Sequence, residues 1–172
     1  MPRLIVMWHS FLIGGLSLGL VLVLGGFLLA WSGTAPAHLG PGQERLAACP
    51  DRPNCVSSDA PQSDAHHIAP FHLAVPAERA WQALLATLSE QPRLRIRQQT
   101  DGYVHATAHS AFFGFIDDLE CQLRPEAGII AIRSASRVGH SDFGVNRKRV
   151  EAIRRQLSAQ GMITNQARLP DS

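Results

Sequence analysis

The opening segment constrains this chain more than anything after it. Residues 4–39 hold no Asp, Glu, Lys or Arg, and residues 11–31 form an apolar run rich in Leu, Gly and Val. A helix over that run, rising about 1.5 Å per residue, reaches roughly the 30 Å of a bilayer core. Trp8 and Trp31 flank it where interfacial aromatics belong. The run therefore predicts an uncleaved N-terminal transmembrane helix over residues 1–32. Two rivals fit less well. A cleaved signal would use Ala35-Pro36-Ala37, but its apolar region should be shorter. A lipoprotein box at Leu46-Ala47-Ala48-Cys49 is separated from the run by a Gly/Pro-rich spacer carrying Glu44 and Arg45. Arg3 precedes the span, whereas Glu44 and Arg45 nearly cancel after it. The positive-inside tendency then predicts a single-pass protein of the inner (cytoplasmic) membrane with its domain in the periplasm or another extracytoplasmic space. Gly15 and Gly19 have the spacing that lets two membrane helices approach as a homodimer.

The remainder has an ordinary soluble composition. With 172 residues and 45% hydrophobic content, the chain fits one domain plus an appendage. A formal net charge of +2 and few aromatics argue against a nucleic-acid partner. Residues 33–65 read as a Gly/Pro-rich linker followed by a Cys-Pro-rich segment, too proline-bound for helix or ladder. Within it, Cys49 and Cys55 are spaced to close a small disulfide loop, and a metal use lacks a second pair. Cys121 sits in an apolar strand pattern and reads as a buried thiol.

Periodicity predicts an α+β domain over residues 66–161 and a flexible tail over 162–172. Ile68, Phe71, Leu73 and Val75 suggest a first strand, disturbed by Pro70. Pro76 opens a helix to about Glu90, with Ala80, Trp81, Leu84, Leu85 and Leu88 on one stripe. Four alternating stretches follow, the first two joined at Asp101-Gly102. The last helix spans about 144–160, capped by Ser141 or Asp142, with Val150, Ile153 and Leu157 inward and Glu151 paired with Arg155. The order is β-α-β-β-β-β-α, an antiparallel sheet with helices on one face.

Strand phase gathers charge on the opposite face: Arg95, Arg97, His105, His109, Asp118, Glu120, Arg133 and Arg137. A simple turn at 125–128 puts Glu120 opposite Arg133 and Asp118 diagonal to Arg133 and Arg137. Such cross-strand pairs add about 0.2–1 kcal/mol. No metal site is expected, since His105 and His109 lie roughly 13 Å apart on a strand, and no cofactor motif is present. No catalytic residue is assigned, because the acids have arginines beside them and Ser134 and Ser136 have no linked histidine. An anion-binding candidate gathers at Arg137, Gly139, Asp142, Asn146 and Arg147, where a glycine turn meets a helix N-terminus. Against it stands plain bracing, with Asp142 filling the helix end.

Three ordered blocks carry a resemblance. Leu46-x-x-Cys-Pro-Asp-x-Pro-Asn-Cys-Val-Ser-Ser, Phe113-Gly-Phe-Ile-Asp-Asp-Leu-Glu and Arg133-Ser-Ala-Ser-Arg-Val-Gly-x-Ser-Asp-Phe-Gly-Val-Asn-Arg-x-Arg together resemble the domain-of-unknown-function family 1499. The resemblance runs from about Leu46 to Leu157. It implies a domain often carried with an export or membrane segment, and no catalytic residues. The expectation is a membrane-anchored binding or assembly factor for an anionic lipid or membrane component, not an enzyme. The alternatives are a small envelope hydrolase using Asp118, Glu120 and the arginines, and a structural module that binds a membrane protein.

Overall fold

A computed structural model of the chain describes residues 17, 21, 24–25, 36, 39–42, 44–110 and 115–164. Its elements in order are β1 (Cys55–Ser57), β2 (Phe71–His72), α1 (Ala77–Glu90), β3 (Leu94–Thr100), β4 (Tyr103–His109), β5 (Ile116–Arg124), a single 3-10 turn (Pro125–Ala127), β6 (Ile129–Ser136) and α2 (Val145–Ala159). The strands form one antiparallel sheet in the order β1-β6-β5-β4-β3, with β2 also on β6.

Local chemistry accounts for the long elements. Pro76 stands at the start of α1, where its missing N–H costs nothing. Pro92 follows the C-cap Gln91 and blocks continuation. Thr100 and Tyr103 face each other across Asp101-Gly102, so a two-residue turn joins β3 to β4. After the 3-10 turn the chain reverses at Gly128, in the left-handed region at φ 64, a conformation open to glycine without a Cβ clash.

The helices and sheet bury one apolar layer. Ala80, Trp81, Leu84 and Leu88 of α1 and Val150, Ile153 and Leu157 of α2 pack on Val104, Ala106, Leu119, Cys121, Ile130 and Ile132. These strand residues are register partners of one another or share one phase, as the alternation requires. The free thiol of Cys121 lies wholly inside this layer, where burial and the nearby Glu120 charge push its pKa up.

Four expectations need correction. The fold class has no supported N-terminal transmembrane helix. Among the described residues no helix is long and apolar enough to cross a membrane. A crossing needs about 20 apolar residues, and α1 and α2 have 14 and 15 with polar outer faces. Of the expected span only Ser17, Val21, Leu24 and Gly25 are described, all helical, while the Gly15 and Gly19 contact and the tail beyond residue 164 lie outside the described residues.

Second, the Cys-Pro segment does enter the ladder. Its prolines stand ahead of Asn54, so Cys55, Val56 and Ser57 keep their N–H groups and pair with Ala135, Ser134 and Arg133. Third, the expected strand from Ile68 to Val75 is reduced to Phe71 and His72, with Leu73 bridging Ile163. Fourth, β3 carries a bulge between Ile96 and Gln98. Arg97 is the extra residue, and its Nε donates to Thr107 Oγ1 at 2.8 Å.

Candidate functional site

Two polar assemblies and one cleft contain nearly all the chemistry-bearing residues. The first lies on the sheet face away from the helices. Glu120 stands opposite Arg133, as the turn geometry predicts, and Asp118 opposite Ala135. Tyr103 donates to Glu120 Oε1 at 2.7 Å and Arg133 Nη1 to Oε2 at 3.2 Å. Asp118 takes His105 Nε2 at 2.8 Å and a two-pronged grip from Arg137, 2.9 Å from Nε and 2.8 Å from Nη2.

This face is not the solvated brace that phase alone suggests. Asp118, Glu120 and Arg133 are 1%, 2% and 3% exposed. Burial tends to raise the Asp118 pKa, but the bonds from His105 and Arg137 and the Arg137 charge outweigh it and hold the carboxyl below its usual range. Burial and the neighbouring Glu120 push the Tyr103 phenol up, so it stays a donor. Arg133 Nε and Asn54 Oδ1 are buried without a hydrogen-bond partner among the described residues.

The segment before the disulfide helps cover this face. Leu46 is buried against Tyr103 and Ala131. Its amide donates to Asp59 Oδ2 at 2.8 Å, and Arg124 grips the same carboxylate at 2.8 and 2.6 Å. Burial raises the Asp59 pKa, but the Arg124 and Leu46 bonds and the arginine charge more than offset it, and the net shift is downward. Cys49 and Cys55 are joined in a disulfide that ties this segment to β1.

The second assembly sits where α2 meets the sheet, and its centre is Asn146, fully buried. Asn146 Oδ1 accepts from Ser134 Oγ at 2.5 Å and from Arg149 Nη1 at 2.7 Å. Its Nδ2 reaches the Asn54 carbonyl, Ser136 Oγ and Asp142 Oδ2. Asp117 completes the ring, accepting from Ser136 Oγ and Arg149 Nη2, both at 2.6 Å. Asn54 Nδ2 donates to the Gly139 carbonyl at 2.7 Å, pinning the turn after β6. In the sequence, Asn54 and Arg149 stand in the motif blocks without an assigned role, and Asp117 counts only among the acids weighed for hydrolysis. Nothing local signals the cluster, because its members come from separate segments.

The candidate ligand residues therefore separate. Arg137 is turned onto Asp118, Gly139 is held by Asn54, and Asn146 is the buried hub. Asp142 accepts the Gly144 amide at 2.9 Å and the Asn146 amide at 2.7 Å, which caps α2 although Gly144 holds the N-cap position. The helix end is thus filled by the protein's own carboxylate. Farther along α2, Glu151 pairs with Arg154 instead of Arg155, and Arg154 also reaches the Ala69 and Pro70 carbonyls and lies over the Phe71 ring.

A cleft of about 460 Å³ opens beside this assembly. Asp142 and Arg147 from the predicted set line it, together with Arg52, His66 and His140. Arg147 is exposed, and its one hydrogen bond among the described residues runs from Nη2 to the Ala65 carbonyl at 2.8 Å. His66 Nδ1 lies 2.9 Å from the Cys55 carbonyl. Arg52 and His140 had no sequence signal, and His66 read only as half of a loop His pair without an acidic partner, because the disulfide loop and the β1–β6 pairing bring them to Arg147. Among the described residues no group of three His, Cys, Asp or Glu is placed to hold a metal ion.

The family model described as "Protein of unknown function (DUF1499)" matches residues 45–157, well over half of the chain. The match spans both polar assemblies and the cleft. No curated protein matches the chain.

Proposed function

The chain belongs to the DUF1499 family, and from the geometry that its shared blocks create we propose a non-enzymatic binding module whose cleft takes an anionic group. One observation carries this reading. The other cationic and polar residues of the two motif blocks around the cleft are largely spent inside the protein, on Asp117, Asp118, Glu120 or one another. Arg147 is exposed, lines the cleft and is in no ion pair among the described residues, with Arg52, His66 and His140 around the same space. Two acids also line the cleft, Asp51 and Asp142, and Asp142 is consumed by the helix cap. Arginine presents planar, paired donors suited to a phosphate or carboxylate.

The disulfide supports placing this module in an oxidising, extracytoplasmic compartment, since such bonds persist there. The hydrolase alternative gains nothing from the outer face. Asp118 and Glu120 are buried and engaged, and the lowered pKa of Asp118 suits an ion pair more than a general acid.

Titration of the full chain in detergent with inorganic phosphate and with glycerol phosphate tests the reading. Arg147→Ala should weaken binding about tenfold, the loss of one charge-assisted contact, while Arg155→Ala leaves it unchanged. Equal affinity in both variants, or no binding by the parent protein, would sink it.

A further inference from the structure

The cleft is bordered by a side chain that the fold of the domain does not use. Phe143 is 87% exposed and sits in the left-handed region at φ 54. Aromatic residues rarely adopt that backbone, which suits Gly or Asn. Burial of the ring would compensate for the strain, but the ring stands in solvent. Gly144 continues the turn at φ 76, and Val145 beyond it is 44% exposed. Thus two apolar side chains project from one tight turn, between Asp142 and Gly144 of the cleft wall and the first turn of α2.

The charges around this tip have one dominant sign. Arg147 and Lys148 follow it on α2, both exposed. Arg52 and His140 line the cleft next to it. The acids nearby are Asp51, on the cleft wall, and Asp142, already bound to two backbone amides. An apolar tip with a basic collar matches the layering of a bilayer surface, where acyl chains lie beneath anionic headgroups.

We infer that the turn bearing Phe143 and Val145 docks on an anionic lipid surface, the ring entering the interface while Arg147 and the cleft take a headgroup phosphate. The inference rests on the anion-binding reading of the cleft and names the form in which the anion is presented. A globular partner with an acidic groove is the competing occupant. The lipid surface is favoured because, among the described residues of the domain, Phe143 and Val145 are the large hydrophobics left exposed, two side chains at one turn and helix start beside basic residues.

The test mixes the full chain with preformed vesicles, with a nitroxide attached at Phe143→Cys. Cys121 is buried and Cys49 and Cys55 are bonded, so labelling without reductant is selective. The signal is local to the turn, and lipid contacts made elsewhere in the chain do not enter it. In vesicles containing phosphatidylglycerol, the label should gain accessibility to oxygen and lose accessibility to an aqueous nickel chelate. In phosphatidylcholine alone it should stay wet. Arg147→Glu with Lys148→Glu should restore water exposure on the anionic vesicles. A label that stays wet on anionic lipid, or that inserts equally into both, would overturn the inference.

Phosphate titration of Phe143→Gly separates this inference from the reading beneath it. Glycine suits the left-handed backbone, so the variant should melt no lower than the parent and bind phosphate within about twofold of it. Retained phosphate binding with a wet label overturns docking and leaves the cleft reading standing. Absent phosphate binding in the parent overturns both.

Discussion

Arg133 reaches Glu120 through a single nitrogen, and its side chain is buried, with the residue 3% exposed. An exposed cross-strand pair contributes a few tenths to one kcal/mol, but removing one partner of a buried pair strands the other charge. Arg133→Ala should therefore destabilise the domain by about 3–5 kcal/mol, read from urea unfolding. Glu120→Gln, which removes a charge but keeps an acceptor for Tyr103, should weaken the Arg133→Ala penalty when the two are combined. Simple additivity of the two would show that the pair is not coupled. The pairing itself was legible in the sequence, because strands alternate with period two and the 125–128 turn fixes register. Its depth was not. Leu46 packs on that face against Tyr103 and Ala131, reaching it from the far side of the disulfide with its amide held by Asp59, and no local pattern announces that contact.

At the scale of elements, the helices and β3 to β6 were readable because each is long enough to display its period. The strands β1 and β2 have three residues and two, too short for any alternation to register, and their partner β6 is distant in sequence. Proline content misled at β1 because proline disables only its own N–H, and Pro50 and Pro53 both precede the strand. The candidate site followed the same division. Asp142 as the cap of α2 was legible from residue type and position, whereas Arg52, His66 and His140 were brought to Arg147 by tertiary structure alone. The disulfide joins the Leu46 segment to β1, and its loop is short. Reducing it should lower stability by about 2 kcal/mol in the chain-entropy view. The Ser136 amide, bonded to the Asn54 carbonyl, should then exchange faster with solvent than the Leu84 amide in α1. Equal protection before and after reduction would show that β1 holds without the bond.

For the whole molecule, acid is the informative stress. Asp59 and Asp118 both have pKa values lowered below 3.8 in the folded chain. A group depressed by folding contributes stability that is complete above its unfolded pKa. That contribution is lost as pH falls through the lower folded value, because the unfolded chain then binds protons more readily. Stability should thus be level from neutral pH down to about the ordinary carboxylate range and fall steeply below it. Asp59→Asn should flatten part of that fall, and Asp118→Asn another part, in thermal melts across pH. A fall of unchanged steepness in both variants would remove these carboxylates from the account. At the alkaline end Tyr103 acts in the opposite sense. Its raised pKa favours the neutral phenol in the folded state, so its share persists below pH 10 and is lost above it.

The arrangement of strands has a further consequence for how copies of this protein meet. β1 and β2 lie end to end along β6 and occupy its outer edge, one from each side of the polar loop. Among the described strands, that leaves the short β1 and β2 at one margin of the sheet and β3 at the other. The β3 margin interrupts its own ladder at Arg97 and presents exposed Arg95, Gln98, Gln99 and Thr100. Charges and a bulge on an outermost strand discourage another chain from adding its backbone there. Crowded together at high local concentration, these domains are built to resist fusing into a continuous sheet through β3.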